Sequence, residues 1–252
     1  MRQIYPPAGG GHEPDLARLY AYPPGEPGEV RVRANMVASA DGAAALDGRT
    51  GGLGGRADRQ VFGLLRAMAD VILVGAGTAA AEHYRPARVD AGWAALREGR
   101  PPTPPIAVVT GRLAISPDDP LLTETPAHAR TILVTTESAP ADRRAALAAQ
   151  ADLIIAGEQH ADLPAAIAAL AQAGHRRILA EGGPHLLGQI AEAGLLDELC
   201  LTISPLLAGG LAGRIIQATD QQPGGIGPLT LAHVLEDQGY LLCRYVRPAQ
   251  PA

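Results

Sequence analysis

Residues 178–188 read ILAEGGPHLLG. A short apolar run stops at Glu181, two glycines and a proline follow, and apolar residues then return at helical spacing. Proline is tolerated in the first turn of a helix, where its missing N–H has no intrahelical use, and Gly194 suits the stop of "PHLLGQIAEAG". The stretch therefore reads as a buried strand, a glycine turn and a helix. In open α/β sheets ligands bind beyond the carboxyl ends of the strands, so a site is expected around Glu181.

The same unit recurs along the chain. "DVILVGAG", "PIAVVTG" and "TILVTT" are short, continuously apolar runs, as expected of strands buried on both faces; "DLIIAG" is a further strand. "ADRQVFGLLRAMAD" places Val61, Leu64, Leu65 and Met68 at helical spacing. "ADRRAALAAQ" and "DLPAAIAALAQAG" are helices, the second stopped by Gly174. "EVRVRANMVAS" alternates Val30, Val32, Ala34 and Met36 against Arg31, Arg33 and Asn35, which is strand periodicity. "LLDELCLTISP" begins another strand, and "GPLTLAHVLEDQGYLLCRYVRP" gives two strands around "EDQG", an antiparallel hairpin. "RPPTPP" and "DDPLLTETPAHAR" read as loops. The expected fold class is α/β, three layers with a mixed, mostly parallel central sheet and a C-terminal antiparallel hairpin. Residues 1–28, rich in Pro and Gly, are expected to form an arm without regular elements of its own, pinned to the surface by Tyr20 and Tyr22. Residues 29–248 form the main domain and 249–252 a tail.

Composition narrows the function. The chain has 252 residues, 47% of them apolar and 3% aromatic, so the core is aliphatic and alanine-rich. A net charge of -5 argues against a nucleic-acid partner, which calls for a basic patch. Cys200 and Cys243 lie far apart in apolar runs with no CxxC, and the scattered histidines form no HxxxH, so neither a metal site nor a disulfide framework is expected. No apolar run reaches the roughly 18 residues a membrane helix needs, and the N-terminus lacks the apolar stretch of a signal peptide. A cytoplasmic protein is expected.

Several chemistry-bearing residues fall at strand ends: Thr78 after "VILVGAG", Thr110 after "IAVV", and Glu181 with Gly182 and Gly183. Glycines let a backbone approach a phosphate closely, and a helix start offers free N–H donors. Each residue also has an ordinary reading. Glycine pairs make turns, Glu181 can be an exposed strand end, and Asp41 in "SADG" a turn residue. Thr50 in "DGRTGGLGG" can be plain loop. Arg66 lies about 140° from the apolar stripe of its helix, a position for a solvated arginine. "GAG" is not GxGxxG, so the Rossmann fingerprint is absent.

Taken together, "SADG", "DGRTGGLGG", "LLRAMADVILVGAGT", "AEGGPHLLGQI" and "GLLDELCLTISPLLAGG" occur in an order and spacing that resembles the reductase domain of riboflavin-biosynthesis deaminase–reductases, over residues 30 to 247. The resemblance is greatest to stand-alone pyrimidine reductases. It implies a dihydrofolate-reductase-like fold and NADPH-dependent reduction of 5-amino-6-(5-phosphoribosylamino)uracil, in a homodimer. It implies that Val37, Ala38, Gly52, Thr78, Glu82 and the turn Gly183, Pro184, His185, Leu186, Leu187, Gly188 and Gln189 border the cofactor; Thr110, from its place at a strand end, is a further cofactor-side candidate. Thr50, Arg66 and Glu181 match substrate-side positions, with Arg85 or Arg88 as phosphate partner. Glu181 would meet the pyrimidine, and Asp41 would organise a loop over the nicotinamide or relay a proton. The zinc signature of the usual deaminase partner is missing, so deamination is not expected. Glu82 stands where the family has an aspartate, and "EHYRPARV" replaces its usual "DDPxL" wording. A pteridine reductase and a non-catalytic NADP-binding protein are the competing readings.

Overall fold

The computed structural model describes residues 1–7, 13–24, 26, 28–217 and 227–248. Its strands are β1 (Arg2–Tyr5), β2 (Arg31–Ser39), β3 (Val71–Gly75), β4 (Ile106–Val109), β5 (Ile132–Thr135), β6 (Asp152–Ile155), β7 (Arg177–Ala180), β8 (Glu198–Ser204), β9 (Thr230–Asp237) and β10 (Tyr240–Val246). They form one sheet in the order β1-β9-β10-β8-β2-β7-β3-β4-β5-β6. From β8 to β6 every neighbouring pair is parallel. β10, β9 and β1 then add antiparallel at the other edge. The mixed, mostly parallel sheet and its C-terminal hairpin are as the sequence predicts. The hairpin turns on Gln238 and Gly239, both at positive φ (51° and 85°), the type I′ geometry that suits the twist of the strands.

The helices are α1 (Leu16–Leu19), α2 (Arg56–Met68), α3 (Ala76–Ala81), α4 (Pro120–Thr123), α5 (Ala141–Ala148), α6 (Leu163–Gln172) and α7 (Pro184–Glu192). On one face of the sheet, Val61, Leu64 and Leu65 of α2 and Leu147 of α5 join Ile72, Val74 and Leu133 in a buried cluster. On the other, Ile167 and Leu170 of α6 and Leu187 and Ile190 of α7 pack on Val32, Ala34, Leu73 and Ile178. These are the three expected layers. Successive side chains of β3 alternate between the two clusters, which is why its sequence reads as an unbroken apolar run.

Three features depart from the sequence reading. The N-terminal segment holds regular structure: β1 pairs with β9, and Asp15 caps α1 by accepting from Arg18 N. Tyr20 is buried edge-on to His233, with ring centroids 4.7 Å apart. Tertiary partners thus supply order that a Pro/Gly-rich sequence does not supply alone. The expected tail, 249–252, lies outside the described residues. The loop "DDPLLTETPAHAR" contains α4, started by Asp119 accepting from Leu121 N at 2.9 Å. Finally, the alternation of β2, a strand as its periodicity predicts, does not turn Arg33 to water. Arg33 is 0% exposed, and its Nε donates to Glu198 at 2.8 Å.

Candidate active site

β2, β7 and β3 lie side by side, and Ala180 is in register with both Ala34 and Leu73. Glu181 therefore emerges at the carboxyl end of the sheet centre, its N–H bonded to Leu73 O at 2.9 Å. Its side chain is 1% exposed. Arg66 holds it in a fork, Nε to Oε1 and Nη2 to Oε2, both at 2.7 Å, and Tyr84 Oη donates to Oε2 at 2.7 Å. Burial pushes the Tyr84 phenol well above its usual range, and the Glu181 charge adds to the rise. For Arg66 burial works against the charged form, but Glu181 outweighs it and raises the pKa. Arg66 is thus neither a solvated surface arginine nor part of the wall of the lobes described below: its guanidinium is committed to the carboxylate. Phe62, one turn earlier on α2, stacks 4.2 Å from its Cζ.

Two adjoining lobes meet at Glu181. The first, about 280 Å³, is lined by polar and aromatic groups that include Asn35, Thr50, Asp58, Arg59, Phe62 and Tyr84. The second, about 240 Å³, is lined by Gly77, Gly183, Pro184, Gly213 and Gln217. Met36, Thr50, Thr78, Glu82 and Glu181 border both. Glu82 fixes the Thr50 loop, accepting from Thr50 N at 2.7 Å and from Oγ1 at 3.0 Å.

The second lobe abuts the start of α7. Gly182 has φ +92°, a left-handed value that favours glycine, and the Gly182–Gly183 peptide is cis. A Cβ on Gly183 would collide with the Thr78 hydroxyl, so only glycine permits this close approach. Gly183 caps α7 without a side-chain hydrogen bond, and Pro184 occupies the first helical position. The backbone N–H groups of His185 and Leu186, in the first turn, have no intrahelical acceptor. Bare N–H donors at the positive end of a helix, beside glycines, fit the phosphates of a dinucleotide. The side chains of Leu186 and Leu187 are buried in the core, so these two residues can serve a ligand only through their backbone, and His185 points to solvent.

The other residues singled out from the sequence scatter. Val37 lines the first lobe. Ala38 and Asp41 line a neighbouring depression with Gly209 and Arg214. The Asp41 carboxylate accepts from Ser39 Oγ at 2.5 Å, Ala208 N at 3.0 Å and Gly209 N at 2.8 Å, and these bonds hold its pKa below the usual carboxylate range. It ties down the loop after β8, whose Gln217 reaches the second lobe. Gly52 is exposed beside Leu46, and Thr110 is buried, donating from N to Val134 O. Arg85 pairs with Glu124 at the surface and Arg88 is exposed; neither borders the lobes. Asp58, Arg59, Phe62 and Tyr84 were not singled out from the sequence. Asp58, Phe62 and Arg66 follow one another at intervals of four, a face of α2 that is legible once a cleft is known to lie over it.

Among the described residues no group of His, Cys, Asp or Glu is placed to hold a metal ion, and no helix is long and apolar enough to cross a membrane. Residues 30–239 match the family model described as RibD C-terminal domain. The chain is 30% identical over 184 residues to the 2,5-diamino-6-ribosylamino-4(3H)-pyrimidinone 5′-phosphate reductase of Methanothermobacter thermautotrophicus, covering 72% of this chain and 81% of that one. It is also 30% identical to the protein of the same name from Archaeoglobus fulgidus, over 61% of this chain and 69% of that one. A crystal structure of a pyrimidine reductase-like protein from Corynebacterium diphtheriae superposes with TM-score 0.79 at 26% identity, covering 88% of this chain and 93% of that one. A reductase family on this fold is consistent with a nicotinamide cofactor. With its strand–glycine turn–helix site and a family match that spans most of the sheet, the chain belongs to the RibD C-terminal domain family.

Proposed function

We propose that this chain is an NADPH-dependent reductase of riboflavin biosynthesis that delivers hydride to C1′ of the ribosylamino group of a 5-amino-6-ribosylaminopyrimidine 5′-phosphate. 5-Amino-6-(5-phosphoribosylamino)uracil is the reading drawn from the sequence, and the archaeal relatives are named for the 2,5-diaminopyrimidinone. The observation that carries the proposal is the position of Glu181, a buried carboxylate fixed by Arg66 and Tyr84 on the wall shared by a lobe that Asp58, Arg59 and Phe62 line and a glycine-rich one. The substrate takes the first lobe and the cofactor the second.

When bound, NADPH supplies the hydride. Opening of the ribose ring moves a proton to the ring oxygen and leaves a C1′=N imine; hydride forms the new C1′–H bond and the nitrogen takes a balancing proton from solvent. The chain's task is positioning and charge placement. The start of α7 holds the cofactor's phosphates through the free backbone N–H groups of His185 and Leu186, beside Gly183, while Thr78 and Glu82 flank it; Val37 borders the substrate's lobe instead. On the substrate side the Thr50 hydroxyl can donate or accept hydrogen bonds, and the Glu181 carboxylate accepts them. Arg59, which borders the first lobe, takes the 5′-phosphate, since the guanidinium of Arg66 is engaged by Glu181 and Arg85 by Glu124. Asp41 holds the loop after β8.

The experiment is the purified protein with NADPH and either ribosylaminopyrimidine phosphate, followed at the nicotinamide absorbance, with dihydrofolate as a parallel substrate. Oxidation of NADPH with the pyrimidines and none with dihydrofolate is expected; the reverse would assign a pteridine reductase, and no turnover with measurable NADPH binding a non-catalytic protein. The protein is further proposed to be a cytoplasmic homodimer paired through the loop after β8, where Leu207 and Leu211 are 84% and 105% exposed. Light scattering should give twice the chain mass, falling to one on replacing both leucines with serine.

A further inference from the structure

Asp58, Phe62 and Arg66 stand above one another on α2. Arg66 belongs to Glu181, but nothing assigned above uses Asp58. It borders the first lobe together with Phe62. The Thr202 hydroxyl hydrogen-bonds the Asp58 carboxyl, and no arginine lies within ion-pair distance of it among the described residues. Burial raises the carboxyl above its usual pKa, with Thr202 and the Arg59 charge opposing. The facing loop packs close, since a Cβ on Gly54 would fall 2.7 Å from Asp58 Oδ2. An ionised carboxylate has about four acceptor positions, and one hydroxyl fills one of them. Beside it stands an aromatic ring one helical turn on, toward Arg66 and Glu181. A carboxylate next to an aromatic ring suits a flat heterocycle that brings its own N–H donors.

We infer that Asp58 accepts hydrogen bonds from the pyrimidine edge opposite the ribosylamino group, reading the N3–H and the substituent at C2. The inference rests on the proposed function. The hydride-accepting C1′ must lie by the wall shared with the cofactor lobe, at the Glu181 end of the stripe. N3 lies across the ring from C6, which carries the ribosylamino group, so the N3–C2 edge points away from that wall toward Asp58. A 2-amino group beside N3–H presents two parallel donors, which a carboxylate accepts as a fork. A 2-oxo ring presents one donor flanked by two carbonyl oxygens that repel the carboxylate. Asp58 thus makes the enzyme favour the 2-amino-4-oxo ring over the 2,4-dioxo ring, while both are reduced. The reaction would then stand ahead of the hydrolytic removal of that amino group.

The test compares kcat/KM for the 2-amino and 2-oxo 5′-phosphates in wild type, Asp58→Asn and Asp58→Ser, with the dissociation constants of the two ribityl products measured by calorimetry without cofactor. Wild type should favour the 2-amino compounds by about tenfold or more in both measurements, the worth of one well-made hydrogen bond to a charged group. Asp58→Asn, whose amide can pair with N3–H and a carbonyl together, should bring both ratios to unity or invert them. Equal ratios in wild type and both variants would overturn the inference while leaving the reductase reading intact. So would a wild type that favours the 2-oxo ring, a result that needs no variant to fold. Failure of wild type to reduce either compound would overturn the reading and the inference together.

Discussion

Two buried carboxylates, each gripped by arginine, sit at different ends of the molecule and differ in what they leave open. Glu181, at the carboxyl end of the sheet, is held by Arg66 and Tyr84, and both lobes of the cleft border it. Glu198, at the first residue of β8, accepts from Arg33 Nε at 2.8 Å and from Arg244 Nη2 at 2.8 Å and Nε at 3.0 Å. Arg33 Nη2 also lies 2.7 Å from Glu198, off the hydrogen-bonding direction. The N-terminal segment seals this second cluster: Tyr22 stacks 4.0 Å from the Arg33 guanidinium, and Arg244 Nη1 donates to Leu19 O at 2.7 Å. The pairing chemistry is alike, but one carboxylate is presented to ligands and the other is enclosed between sheet and arm. Burial opposes the charge of Glu198, yet Arg244 and Arg33 outweigh it and hold its pKa below the usual range. A buried ion pair alone therefore does not mark an active site; a cavity beside it does.

The contrast breaks first at Glu198. Removing one partner of a buried pair strands the others, at a cost of about 3–5 kcal/mol. Glu198→Ala leaves two buried guanidiniums and should lower the denaturant midpoint by that much, or prevent folding. Glu181→Gln should do the opposite. Its stability should change less, because the freed guanidinium, with 16% of its side chain exposed, still reaches water. Its kcat/KM should fall about 100-fold, roughly 3 kcal/mol of transition-state stabilisation, with NADPH affinity kept. Collapse of cofactor binding would show that Glu181 serves the other lobe. If Glu181→Gln loses as much stability as Glu198→Ala, the distinction between the two carboxylates fails.

The enclosed cluster also has a pH signature. His233, packed on Tyr20, has its pKa lowered from 6.5 to about 4, by burial first and by Arg244 and Arg33 next. A histidine with a lower pKa folded than unfolded binds protons preferentially when unfolded. Its contribution is complete above the unfolded value and is lost as pH falls from 6.5 toward 4. The loss should reach roughly 2–3 kcal/mol, and His233→Gln should remove it from urea titrations across that window. A wild-type stability that stays flat over the window would show that the arm does not seal His233 from water.

Sequence carried the strand–turn–helix unit fully. In residues 178–188 periodicity, turn chemistry and helix start agree, and β7, the glycine turn and α7 follow them. The misread features share one cause. Polar residues that face a cleft, a buried counter-charge or water follow the same pattern. Arg33 alternates with apolar neighbours as a wet strand residue would, and only the fold brings Glu198 to it across 165 positions. Arg66 lies off the apolar stripe of α2 because it meets the buried carboxylate of Glu181. Tyr84 sits in "EHYRPARV", which has no periodicity, so nothing local signals its contact with a carboxylate 97 residues away. The resemblance to known reductases carried Glu181, Thr50 and Thr78 to the cleft, but it also carried Gly52, Arg66, Arg85 and Arg88, and the strand-end reading Thr110, none of which borders it.

The finest division is within the open cluster itself, between the arginine fork and the phenol. Tyr84→Phe removes one of the three hydrogen bonds that fix Glu181 and keeps the ring near Arg66. The carboxylate stays on the guanidinium, but it gains freedom to tilt about the fork. A hydrogen bond to a charged group is worth about 1–2 kcal/mol, and part of that returns when water replaces the phenol at the cleft wall. A fall of about fivefold in kcat/KM is expected, carried by kcat, since misalignment at the shared wall disturbs the hydride transfer more than it disturbs ground-state binding. Unfolding midpoint and NADPH affinity should match wild type. An equal fall in stability would make Tyr84 a packing residue like Tyr20 on the enclosed side. A rise in KM alone would place the phenol on the substrate rather than on the carboxylate it steadies.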